Sequence, residues 1–131
     1  AGYGWLAVAG LLWLHYGSLL GGGLAYDAML HTVFLGFVFS MVFAHAPVIV
    51  PAVLGAALPF RRAMYAPLAL LHVGLVLRVA GDLGEDVTAW RWGGVLDEAA
   101  ILAFLAIAVA SAAGGRVSRA GRSRSRSPGR G

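Results

Sequence analysis

The chain has no cysteine and no lysine, and it has few charged residues of any kind. The absence of cysteine excludes disulfides, thiolate metal sites and covalent haem attachment through a Cys-x-x-Cys-His motif. Charged residues make up 12% of the 131 residues, whereas a soluble domain carries about a quarter. So few charges could not cover the surface of a water-soluble protein, and we expect lipid to be the solvent for most of the chain.

Hydrophobic residues, in contrast, make up 60% of the sequence. A helix needs about 20 mostly apolar residues to cross the hydrocarbon core of a bilayer. The hydrophobic runs therefore predict an all-α, polytopic membrane bundle with four transmembrane helices. We expect these helices at about residues 3–20, 27–46, 62–83 and 92–113.

Between the second and third predicted helices lies a short apolar segment, residues 47–60, which is broken by Pro47, Pro51 and Pro59. Its length allows at most about 21 Å of helix, too little to cross a membrane. We expect an interfacial or re-entrant segment here. Non-helical backbone at that depth is tolerated only where protein or water covers it.

Arginine is concentrated in the low-complexity tail, residues 114–131, which holds six of the ten arginines. We expect this tail to be disordered, either as a solvated topology determinant or bound to anionic lipid at about 1 kcal/mol per arginine. No aromatic residue is interleaved for base stacking, so no nucleic-acid partner is expected. Arg61 and Arg62 would share a side with the tail, which predicts that both termini are cytoplasmic and that the acidic loops lie outside.

Four histidines inside the predicted helices are the main functional signal, because ionisable groups within a membrane are costly and mark sites. They are His15, His31, His45 and His72. Neutral imidazole is a common axial ligand of haem iron. His31 and His45 are separated so that they lie about 40° apart around one helix and about 21 Å along it. Four-helix cytochromes of the b type use this separation to hold two haems.

The histidines that could pair with His31 and His45 lie at different depths in the predicted membrane bundle. His15 lies at a depth similar to that of His31, so a shared haem or metal is geometrically plausible there. His72 is near mid-membrane, about 15 Å from the level of His45, and could instead reach the level of His31. His31 and His72 are the preferred metal ligands. For His15 and His45, interhelical or interfacial hydrogen bonding remains an open alternative.

Charged residues near the predicted outer surface form a second group. Arg78 and Asp82 are spaced to pair within one helix, or Arg78 could hold a haem propionate through two hydrogen bonds. Asp97 and Glu98 fall within the fourth predicted helix. Either that helix begins later than predicted, which we favour for at least one of them, or both face a polar path.

The sequence around the second and third predicted helices resembles a known family. The stretch LHTVFLGFVFSMVF, a proline-rich break and a helix ending LLHVGLVLRV are similar to the late helices of the NnrS family. The resemblance covers residues 27–83 and implies a protein of the bacterial inner membrane that binds haem and copper and is linked to nitric oxide, with His31 as a ligand. NnrS proteins are much longer, and their Gly-His-Thr-Gly-Arg-type loop is absent here.

Three functions are compatible with these features. The first is a haem-binding membrane protein, with or without copper, that serves electron transfer, sensing or the response to nitric oxide. The second is an accessory membrane subunit that packs against partner subunits or a second copy of itself, with histidines that only hydrogen-bond between helices. The third is a proton or ion pathway through His72, Asp97 and Glu98.

Overall fold

The computed structural model describes residues 1–17, 23–54 and 62–124, with side chains described up to residue 112. All regular structure in these ranges is helical, as the sequence predicts. The helices are α1 (Gly2–Tyr16), α2 (Leu24–His31), a π-helix (Thr32–Phe39), α3 (Ser40–Leu54), a 3-10 turn (Arg62–Met64), α4 (Tyr65–Gly84) and α5 (Val87–Arg124). The segments from α2 to α3 follow one another without a break.

Three stretches are long and apolar enough to cross a membrane: Leu24–Val53, Arg62–Gly84 and Val87–Ala112. They carry many exposed large apolar side chains, among them Val53 and Leu102 at 73% and 58% exposure. α1 has 15 residues, which corresponds to about 22 Å of helix, and is shorter than the predicted helix 3–20. Residues 18–22 lie outside the described part of the chain.

The expected helix end before Pro47 is corrected by the structure. α3 continues through Pro47 and Pro51 to Leu54, so the first half of the predicted broken segment is helical. Proline removes one backbone donor and is unfavourable within a helix in water. In transmembrane helices it is tolerated, because neighbouring groups satisfy the freed carbonyls. Residues 55–61 lie outside the described ranges.

α5 begins earlier and extends further than its predicted span. The Oδ1 atom of Asp86 accepts hydrogen bonds from the backbone N–H groups of Thr88 and Ala89 at 2.8 and 3.2 Å. This N-cap satisfies donors at the start of a helix, so the helix begins at Val87 and not near residue 92. The backbone remains helical to Arg124, into the tail predicted to be disordered, and residues 125–131 are not described.

α4 and α5 form an antiparallel hairpin with a close contact lined by glycine. A Cβ atom on Gly81 would overlap the backbone of Trp90, and one on Gly93 would overlap the backbone of Arg78. A Cβ on Gly74 would likewise overlap the side chain of Asp97. Small residues at helix contacts allow membrane helices to approach closely. This close contact sets which polar side chains of the two helices face each other.

α1 packs against the long helix formed by α2, the π-helix and α3. A Cβ atom on Gly36 would lie 2.5 Å from the Cβ of Trp5, and one on Gly2 would lie 3.3 Å from that of Ser40. The sequence spacing of Gly36 and Ser40 predicts such a close-packing face, and the structure confirms it. Further along, Phe43 stacks on Phe104 of α5 with ring centroids 3.9 Å apart.

The two ends of the bundle differ in charge. Ala63, next to Arg62, lines a small cleft with Ile107, Ala110 and Ser111 of α5. The start of α4 and the part of α5 that leads into the arginine-rich tail therefore lie at the same end, as expected. The acidic residues Asp27, Asp82, Glu85 and Asp86 belong to the opposite end of the α4–α5 hairpin or to α2, which contacts it there.

Candidate functional site

Arg78 on α4 is at the centre of a polar cluster. Its Nη2 atom donates to Oδ2 of Asp27 on α2 at 2.9 Å, so the expected pair with Asp82 is corrected to a pair between helices. The guanidinium carbon lies 4.8 Å from the ring centroid of Trp90 on α5, within the range of a cation–π interaction. The Trp90 indole N–H also points at Asp27 Oδ2, at 3.4 Å. Three helices thus meet at one ion pair.

His31 joins this cluster through the same aspartate. Its Nδ1 atom lies 2.8 Å from the backbone oxygen of Asp27 and 3.4 Å from Oδ1 of its carboxylate. An Nδ1–H donor to the carbonyl leaves Nε2 as the acceptor nitrogen of a neutral imidazole. The side chain is 25% exposed, so Nε2 is not sealed within the core.

Asp82 is buried, with 2% exposure. It lies one turn beyond Arg78 on α4 and is close enough to Asp27, Arg78 and His31 to interact with their charges. Neither of its carboxylate oxygens has a hydrogen-bond partner among the described residues. A buried polar group without a partner costs about 1–3 kcal/mol by mutational data, so Asp82 is an expensive residue for a purely structural helix.

Asp97 is a second carboxyl group of this kind, deeper in the hairpin. It lies in the third turn of α5, against Gly74 of α4, with 3% exposure, and both oxygens are again without a partner in the described part of the chain. The expectation of a later helix start is therefore wrong for Asp97. Its neighbour Glu98 is exposed on the outside of the bundle.

Arg78 lies between the two buried acids along the helix. Gly74, Arg78 and Asp82 follow one another at intervals of four residues, or about 6 Å each. A Cβ atom on Gly94 would lie 2.8 Å from Arg78 Nη1, so glycine provides space for the guanidinium at this level. The Nε atom of Arg78 is buried and has no partner in the described ranges.

His72 faces α1 and not the α4–α5 contact. Its Nδ1 atom accepts a hydrogen bond from the indole N–H of Trp5 at 3.1 Å. In a neutral imidazole the proton then lies on Nε2, which is buried and without a partner among the described groups. The lone pair that a metal would need is engaged by Trp5. Of the other members of the predicted ion path, Asp97 lies against Gly74 and Glu98 is exposed, whereas His72 is bonded to α1.

The remaining predicted ligands lie apart from the cluster. His45 is exposed, with Nδ1 2.8 Å from the backbone oxygen of Met41. His15 is exposed at the end of α1 and packs edge-on against Tyr16, with ring centroids 4.7 Å apart. Within the described ranges, no three His, Asp or Glu side chains are grouped so that they could hold a metal ion.

Sequence reasoning missed the partners that organise the site. Asp27 and Trp90 both contact Arg78, and neither is a candidate site residue predicted from the sequence. A charged residue at the start of an apolar helix is a signal for such a pair, because an intramembrane cation needs a counter-charge. Nothing local identifies which acid supplies it, since Asp27 and Arg78 are distant in sequence.

The described fold and site define a helical protein with membrane-length apolar helices and a buried cluster of acids around one arginine. Residues 1–113 match the family described as "Domain of unknown function (DUF8744)", and the chain belongs to that family. No curated protein and no solved structure matches the chain. The matched region contains every residue of the site, and it ends where the arginine-rich tail begins.

Proposed function

We propose that this protein is a membrane-embedded bundle that transfers protons or another small cation along buried carboxyl groups between α4 and α5. One observation carries the proposal: Asp82 and Asp97 are 2% and 3% exposed, and neither has a hydrogen-bond partner among the described residues. Ionisable residues inside membrane helices are costly, and they mark ion pathways and proton relays.

The arrangement of charges supports transfer in steps. Asp82 belongs to the acidic end of the bundle, and Asp97 lies about two helical turns deeper, at the level of Gly74. Arg78 lies between them, and its bond to Asp27 holds the guanidinium in place. A fixed positive charge lowers the cost of ionising either neighbouring acid. Arg78 can therefore balance the negative charge that is left on either acid after its proton or cation has been released.

The proposal includes a location and a topology. We place the protein in a bacterial inner membrane, with α1 (Gly2–Tyr16) as a fourth and shorter crossing helix. The basic end, with Arg62 and the tail, would face the cytoplasm under the positive-inside rule, and the acidic end would face outward. Lipid is the main partner, and assembly with a second copy or another membrane subunit remains compatible with this topology.

Ion flux into liposomes tests this function. The full chain is reconstituted, a potassium gradient with valinomycin sets the membrane potential, and dyes in the lumen report protons and Na⁺. We expect wild-type flux of at least one of these ions, and loss of that flux in Asp82→Asn and in Asp97→Asn. Glu98→Gln is the matched control, since this neighbouring acid is exposed, and should leave flux unchanged. Wild-type flux equal to that of empty liposomes would refute the function.

A haem-binding protein of NnrS-like type is the second candidate, and the orientation of two histidines favours it. His31 and His45 each direct Nδ1 at a backbone oxygen four residues earlier, at 2.8 Å. This bond fixes the tautomer in which Nε2 is free to bind iron. These two side chains therefore fit an axial role, whereas His72 does not, because Trp5 occupies its acceptor nitrogen.

Arg78 is a poorer fit to the haem hypothesis, because its guanidinium is already paired with Asp27. Bound haem would supply electron transfer or gas binding. The resemblance to the NnrS family also implies copper, with His31 as its expected ligand. Expression with added haem and an optical spectrum of the purified protein test this. A Soret band that His31→Ala removes would support it. A colourless protein would contradict haem binding and leave the ion pathway as the remaining function. The absence of both the Soret band and ion flux would indicate an accessory subunit.

A further inference from the structure

Resting on the proposed pathway, we infer that the ion it transfers is the proton, and that Asp97 is the group that holds it at the middle of the path. The surroundings of Asp97 carry this assignment. The carboxyl group lies against Gly74, with the backbone of Gly93 close to the same position, and it is buried at 3% exposure.

A dehydrated metal cation needs several oxygen ligands around it in place of its water shell. At Asp97 the described residues provide one carboxylate and helical backbone, whose carbonyls are already used within the helices. Gly74 is so close that even a single added carbon atom would overlap Oδ1. Six oxygens cannot be arranged in that space, whereas a proton needs only one oxygen and no additional room.

The charged groups that face the two acids lead to the same assignment. Arg78 is the charged residue that acts on Asp97, and Asp82 is influenced by Asp27, Arg78 and His31. A metal cation moving from one acid to the other would have to pass the fixed guanidinium, which repels it. A proton can be stored as a neutral carboxyl group on either side of Arg78 and can pass from one group to the other along hydrogen-bonded water, so no bare cation has to stay beside the guanidinium.

A cavity lies at the acidic end of the bundle, next to this path. A cavity of about 230 Å³ is lined by Leu24, Gly81, Glu85, Asp86, Val87 and Trp90. Trp90 belongs both to its wall and to the Asp27–Arg78 cluster. Water in this cavity would reach the ion pair from the acidic end, and Asp82 is the first buried carboxyl group beyond it. An ion that enters from the acidic end would therefore reach Asp82 before Asp97.

The test compares proton uptake by liposomes containing the full chain in buffers whose only added cation besides potassium is Na⁺ or choline. We expect equal proton flux in the two buffers and no uptake of radioactive Na⁺. Asp97→Asn should abolish proton flux, and Asp97→Glu, which keeps the carboxyl group, should restore part of it. Folding of both variants is checked by helical circular dichroism.

The outcomes separate this inference from the function on which it rests. Na⁺ uptake, or proton flux that requires Na⁺, would overturn the proton assignment while leaving the ion pathway in place. Proton flux that persists in a folded Asp97→Asn variant would overturn the role of Asp97 alone. Flux of neither ion through the wild type would instead refute the pathway as a whole, and the assignment with it.

Discussion

Replacement of Asp97 by leucine should make the protein more stable while removing its proposed activity. Leucine has the same branching at Cγ as aspartate, so the substitution exchanges two unpartnered oxygens for two methyl groups in nearly the same positions. Removing a buried polar group that has no partner should stabilise the folded state by about 1–3 kcal/mol. The larger methyl groups meet Gly74, and overpacking costs about 1 kcal/mol or more. A net gain of up to about 2 kcal/mol is expected, with about 1 kcal/mol as the central value.

For a chain of this size, a gain of about 1 kcal/mol corresponds to a rise in Tm of about 3–6 °C. The measurement is thermal loss of helical circular dichroism in a mild detergent, with liposome flux measured on the same preparations. The control is Glu98→Leu, which changes an exposed neighbour and should alter stability by less than about 0.5 kcal/mol. A fall in stability for Asp97→Leu would refute the reasoning, because it would mean that the carboxyl group has a stabilising partner.

Three further predictions follow from the contacts between helices. Asp27→Asn should destabilise the protein by about 1–3 kcal/mol, because it weakens the charged hydrogen bond to Arg78. A double-mutant cycle with Arg78→Met measures the coupling energy between the two residues, and a coupling energy near zero would contradict this prediction. Gly74→Ala should lower Tm, because its Cβ would overlap Asp97, whereas Gly10→Ala, where no atom lies within 4 Å, should stabilise by up to about 1 kcal/mol. Trp5→Phe should cost about 1 kcal/mol by removing the indole donor to its histidine partner, and an unchanged unfolding midpoint would count against that bond.

The helix boundaries illustrate what local rules can and cannot predict. Proline is a helix breaker in water, so Pro47 marked the expected end of the second helix, yet α3 runs on to Leu54. Conversely, Asp86 is an N-cap residue, so α5 begins at Val87, five residues before the predicted start near residue 92. Both boundaries depend on the neighbouring residues as well as on a single residue type.

The candidate site was predictable only in part. The sequence identified Asp97 and Arg78 as unusual, since charge inside an apolar helix is costly. It could not identify the partner of Arg78, because two acids were available and the nearer in sequence, Asp82, is not the one bonded. The four histidines are the main functional signal in the sequence, yet the hydrogen bonds of three of them join backbone oxygens or Trp5.

The sequence by itself determined that this is an all-helical chain with membrane-length helices. The scarcity of charge and the length of the apolar runs are sufficient for this, because solvation depends on composition. It also determined that any polar group inside those helices would matter. Only the tertiary structure decided which groups meet. The glycine-lined contact sets how closely α4 and α5 approach and hence which faces oppose. That register buries Asp97 and leaves Glu98 exposed, a distinction that two adjacent acids in a sequence cannot make.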